Sequence, residues 1–158
     1  MSSFSDRAKL ALLIETLVTI HPRGLKILLG EAPNPTCEDI AETFFSAQGE
    51  DLGVRIQVNR DRQDALNLLC KAQVIQDLVD LAGGWEGLQA ATREVREVEA
   101  LAWNLFADSV RWVHCGSRLN NGTGYAVRIA ERYNVSVRTA VRWRPEIPKI
   151  IARIAMMR

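Results

Sequence analysis

Apolar residues recur at intervals of three and four through most of the chain, the repeat of amphipathic helices. Leu10, Leu13, Ile14, Leu17 and Val18 form the first stripe. The spacing predicts a helix from Asp6 to about Ile20, with Ser5 as N-cap and His21-Pro22 as the stop. Arg23 to Leu29 reads as a further turn or two of helix closed by Gly30, and Glu31 to Pro35 as a loop. Thr36, with Asp39 three residues on, approximates a capping box and opens a helix of about twelve residues through Phe44 and Phe45. Val54, Ile56 and Val58 alternate with Arg55 and Gln57, the pattern of a short strand or an extended link. Asn59 is positioned to cap one helix from Arg60 to Leu81. Its apolar face (Leu66, Leu68, Leu69, Ala72, Ile75, Leu78, Val79) has the width of a central core helix.

Gly83-Gly84 ends that helix, and the next is expected to run unbroken from near Trp85 to His114. Leu88, Ala91, Val95, Val98, Ala102, Leu105, Ser109 and Trp112 follow a seven-residue a/d repeat along it. Such a stripe serves either as a homodimer seam or as the packed face of a helix inside its own monomer. Alanine and serine at seam positions favour the second. A polar loop, Cys115 to Gly124, leads into two short helices joined at Tyr133-Asn134-Val135-Ser136. The first carries Ala126, Ile129, Ala130 and Tyr133 inward. The second, capped by Ser136, carries Ala140 and Trp143 inward, with Arg138, Val141 and Arg142 outward. Ala130 supplies the small side chain that two crossing helices need at their contact. Asn134 occupies the position where a tight joint favours positive φ. After Arg144, Pro145 and Pro148 are expected to interrupt the backbone; because proline is tolerated in a helix's first turn, a last helix is expected from Glu146 to Met157, bearing Ile147, Ile150, Ile151 and Ile154.

This joint of some twenty residues resembles the helix-turn-helix of bacterial and phage DNA-binding proteins, in which the second helix enters the major groove. The resemblance implies double-stranded DNA as partner, with base edges met by Ser136, Arg138, Thr139, Val141 and Arg142. Arginine suits that task because its planar fork pairs with both guanine acceptors. Arg118, Asn120, Asn121, Thr123, Arg128, Arg132, Arg144 and Lys149 are the corresponding candidates for phosphate contact, fixing register without reading sequence. Asn134 stands where such joints more often carry glycine.

Charge supports a polyanion partner. The net charge of +1 conceals ten basic side chains against Glu131 and Glu146 from Arg111 onward, or +8. The first 110 residues hold ten basic and seventeen acidic side chains, or −7. A basic end on an acidic body is the pattern of a polyanion-binding module joined to a module of another kind.

Other classes find little footing. The N-terminus lacks the apolar core of a signal peptide, and no run approaches the ~18 apolar residues of a membrane span. Cys37, Cys70 and Cys115 are widely spaced and odd in number, which points to reduced thiols in a cytoplasmic protein. His21 and His114 have no partners at zinc-ligand spacing, and no phosphate- or dinucleotide-binding glycine pattern occurs. Neither catalysis nor a cofactor is expected.

The expected fold is therefore all-α: a helical N-terminal body (1–84), a connecting helix (85–114) and a C-terminal trihelical helix-turn-helix region (115–158). A sequence-specific transcriptional regulator is the leading expectation. A DNA-packaging or transposition accessory, and a protein-interaction module on the same scaffold, are the alternatives.

Overall fold

A computed structural model describes residues 5–47, 60–114 and 123–157. Every regular element among them is an α-helix. In chain order these are α1 Asp6–Thr19, α2 Gly24–Leu28, α3 Cys37–Ala47, α4 Arg60–Leu69, α5 Ala72–Leu81, α6 Gly84–Val98, α7 Ala100–His114, α8 Thr123–Tyr133 and α9 Val137–Met156. The possible strand at Val54 to Val58, the Asn59 cap and the Cys115 to Gly122 part of the polar loop lie outside the described residues.

The first caps form as the sequence predicts. Ser5 Oγ accepts the Ala8 N–H at 3.2 Å, and Thr36 Oγ1 accepts the Asp39 N–H at 3.2 Å. The central helix, however, is α1 and not the 60–81 segment. Ala11 and Leu12 are buried along with the predicted stripe of Leu10, Leu13, Ile14, Leu17 and Val18, so α1 is apolar on almost every side. It packs against α2, α4, α5, α7 and, most extensively, α9. Its buried Thr16 hydroxyl is satisfied internally, donating to the Leu12 carbonyl at 2.8 Å.

Two predicted continuities and one predicted interruption are corrected. The helix expected over 60–81 breaks at Cys70-Lys71, where Lys71 is extended (φ −92, ψ 123) and begins α5. The break lets Leu66 and Leu69 on α4, and Ile75, Leu78 and Val79 on α5, all enter the core. A straight helix of this length, about 33 Å, would carry one end away from it.

The helix expected over 85–114 breaks at Glu99 (φ −125, ψ 42), although hydrogen bonds bracket the break on both sides. Glu99 N–H donates to Val95, and Trp103 N–H donates to Glu99. Beyond the break Ala102 is buried as the stripe predicts, but Trp103 and Ala107 join it, while Leu105 is half-buried and, just before the break, Val98 is 79% exposed. Leu88, Ala91 and Val95 are buried in the protein's own core, and α6 packs on α9. Those three seam positions are therefore already covered within the monomer.

Last, α9 runs straight through Pro145 and Pro148 instead of ending at Arg144. Each proline lacks a donor for the carbonyl four residues earlier, at a cost of about 3 kcal/mol in a helix interior. Burial of Ile147, Ile151, Ala152 and Ala155 against α1 and α6 offsets this. One fully buried isoleucine is worth about 1.5–3 kcal/mol.

Close backbone approach marks the turn between α1 and α2. A Cβ on Gly24 would fall inside the Leu17 carbonyl group, whereas one on Gly30 (φ +76) would meet only open space. Gly24→Ala is expected to destabilise the fold by about 3 kcal/mol or more, because backbone must move. Gly30→Ala should cost only about 1 kcal/mol, through its left-handed φ. Urea denaturation of the two variants checks the contrast.

Between the same helices, His21 is buried, and its Nδ1 accepts the Arg23 N–H at 3.2 Å, a role open only to the unprotonated nitrogen. Burial first, then the Arg23 charge, hold its pKa below the ordinary 6.5, with Asp39 pulling the other way. The unfolded chain thus binds a proton near pH 6.5 that the folded chain takes up only at lower pH. This contribution is intact above pH 6.5 and is lost as pH falls toward the depressed folded value. Between about pH 7.5 and about pH 5.5, the urea midpoint of the parent should fall further than that of His21→Gln.

Candidate functional site

The C-terminal corner is built by short-range rules. Helix α8 ends with Asn134 in the left-handed region (φ 53), and the Val135 N–H reaches back to the Ala130 carbonyl at 3.0 Å. A bond of that span around a left-handed residue is a Schellman closure, which satisfies a carbonyl the helix end would otherwise leave open. Ser136 then caps α9, its Oγ accepting the Thr139 N–H at 3.2 Å. Only Asn134, Val135 and Ser136 separate the two helices.

Small side chains allow α8 and α9 to approach. Ala130 is 9% exposed and Ala140 fully buried, beside fully buried Ile129. All three belong to the core cluster that contains Leu10 and Leu13 of α1. Trp143 closes the far side, half-buried, with its ring edge-on to Tyr133 at a centroid distance of 5.3 Å and an interplanar angle of 84°. Tyr133, expected to be buried, is 37% exposed, because it lies at the helix end and covers Trp143 from outside.

The predicted site residues divide into three groups. Arg138 and Arg142 are exposed, one turn apart on the outer side of α9, and neither forms an ion pair among the described residues. Arg128 and Arg132 are likewise exposed one turn apart on α8. A second group serves the corner itself. Ser136 Oγ is occupied by the cap and lies 2.9 Å from the hydroxyl of half-buried Thr139, so both hydroxyls are engaged locally. Thr123 begins α8, but its side chain and those of Val141 and Arg144 are outside the described set, as are Arg118, Asn120 and Asn121 altogether.

Lys149 joins the arginines in a longer feature that separate helices would not have produced. Because α9 is continuous, Arg138, Arg142, Glu146, Lys149 and Arg153 fall within about 80° of arc at 100° per residue. All five are exposed. They form a ridge of four cations and one carboxylate about 22 Å long at 1.5 Å per residue. Glu146 and Lys149 are 3.6 Å apart, an exposed i, i+3 pair that moderates the charge midway. Arg153 is not among the predicted contacts; its i+4 spacing from Lys149 is visible within the expected last helix, but only a continuous α9 puts the two on the face of Arg138 and Arg142.

Elsewhere the chemistry is quiet. Cys37 and Cys70 are free thiols, and Cys37 Sγ donates to Gln76 Oε1 at 3.1 Å. Burial raises both thiol pKa values, helped at Cys37 by the Asp80 charge. Among the described residues, no group of three or more His, Cys, Asp or Glu residues is placed to hold a metal ion, and no helix is long and apolar enough to cross a membrane. No family model matches the chain, and no curated protein or solved structure is significantly similar to it.

The corner's geometry makes its own demands. Asn134→Gly is expected to be near neutral, since glycine tolerates the same φ. Asn134→Val should cost about 1–2 kcal/mol from the left-handed clash, and Ser136→Ala about 1 kcal/mol from the lost cap. Thermal and urea unfolding should rank Asn134→Gly as the most stable of the three, then Ser136→Ala, then Asn134→Val.

Proposed function

We propose that the chain is a double-stranded DNA-binding protein that lays the first turns of α9 in the major groove. In this reading it regulates transcription in a bacterial or phage-infected cytoplasm. The observation that carries the reading is the Arg138/Arg142 pair: two exposed guanidinium groups on a capped helix, aimed outward by a closed corner. Arginines so placed are free to pair with guanine edges instead of with carboxylates of their own chain.

Under this proposal Ser136 and Thr139 shape the helix start rather than read bases, so Arg138 and Arg142, with Val141 beside them, carry the sequence discrimination. Arg128, Arg132 and Lys149 supply phosphate contacts, and the remaining contacts come from Arg118, Asn120, Asn121, Thr123 and Arg144. Pairing of two copies through the 85–114 segment forms no part of it, because Leu88, Ala91 and Val95 are buried within the monomer.

Selection of bound fragments from a random duplex pool, followed by anisotropy titration of the winners, tests the proposal. Arg138→Ala and Arg142→Ala should each weaken the selected duplex by about 1–3 kcal/mol and relax preference at one position. Lys149→Ala should weaken all duplexes alike and reduce the salt slope by about 1. With about six phosphate contacts, the parent's log–log salt slope should lie near −5. Unchanged binding by the double arginine variant would overturn the assignment of α9 as reader. A parent that binds no duplex even at low salt would leave a protein-interaction role for the scaffold.

A further inference from the structure

On the side of the corner bounded by the α6–α7 junction, the break at Glu99 opens a groove of about 480 Å³ between that junction, the end of α8 and the middle of α9. This is within the roughly 300–1,000 Å³ range of small-molecule sites. Buried Ala102 and Ile147 line its apolar part, and Tyr133 and Trp143 bring the edge-to-face ring pair to it. Among the described residues, the charged groups lining it are two carboxylates, Glu99 and Glu146. Glu146 shares its charge with Lys149 at 3.6 Å, whereas Glu99 is exposed and forms no ion pair among the described residues.

We propose that this groove binds a small organic cation with an apolar body. Charge complementarity selects the sign: Glu99, with a smaller contribution from the Lys149-paired Glu146, attracts a positive group to the apolar, ring-lined concavity and repels a negative one. The indole and phenol rings add to the preference, since a cation within about 6 Å of an aromatic face is drawn to its electron-rich centre. The apolar part of the ligand lies against Ala102 and Ile147, the positive centre between the rings and Glu99. The ligand reaches the same ring pair that braces the Asn134 corner. Cation binding in the groove is independent of whether α9 binds DNA.

Tetraphenylphosphonium and tetraphenylborate, alike in shape and opposite in charge, serve as probes. They are titrated into the full chain at low ionic strength, by calorimetry and by tryptophan fluorescence. The cation should bind saturably at one per chain and at least about tenfold more tightly than the borate. Glu99→Gln should weaken the cation about threefold, and Glu99→Gln with Glu146→Gln about tenfold, as expected for exposed charge partners. Both positions are exposed, so folding is preserved, and circular dichroism checks this. The proposal is overturned by equal binding of the two probes, by uptake of many cations per chain without saturation, or by unaltered affinity in the folded double variant.

Discussion

A helix that is apolar on nearly all sides cannot hold its shape in water alone, and α1 is such a helix. Its burial is the constraint from which the rest of the architecture follows. Five other helices surround it, and the longest of them, α9, makes the largest contribution. Ile147, Ile151, Ala152 and Ala155 come from that helix, and their removal from water is what carries α9 through two prolines that would halt an exposed segment.

The same burial decides what the other half of α9 can do. A helix of twenty residues is about 30 Å long. With its C-terminal half held against α1 and α6, its N-terminal half is a fixed arm, and the corner at Asn134 seats α8 against it. Arg138 and Arg142 therefore project from a base that has no hinge between it and the core. The C-terminal region is correspondingly not a separate hydrophobic unit: Ile129, Ala130 and Ala140 belong to the cluster of Leu10, Leu13 and Ile14. The two chemistries of the region, the cationic ridge and the ring-lined groove, are adjoining faces of the same anchored helix, with Glu146 on the border between them.

Much of this was legible in the residues. Ser5, Thr36 and Ser136 announce helix starts because a cap hydroxyl acts on an amide only two or three residues away. Asn134 announces a left-handed turn because few other side chains tolerate it. Even the continuity of α9 left a trace: Ala140, Trp143, Ile147, Ile151 and Ile154 keep one helical phase across both prolines. Pro145 and Pro148, residues that ordinarily end a helix, stand against that phase. Trp103 was missed for a related reason, since a register extended from α6 across Glu99 places it off the predicted face.

By itself, then, the chain determined the starts of α1, α3 and α9, its left-handed corner, the division of charge between its two parts and the outward placement of Arg138 and Arg142. These are effects of neighbours within about one helical turn, where amide, cap and side chain meet regardless of the surroundings. Only the tertiary structure decided that the chain breaks at Lys71 and Glu99, where no glycine or proline stands, and does not break at Pro145 or Pro148, where they do. Those outcomes turn on apolar area covered by helices remote in sequence, a free energy that local spacing does not contain.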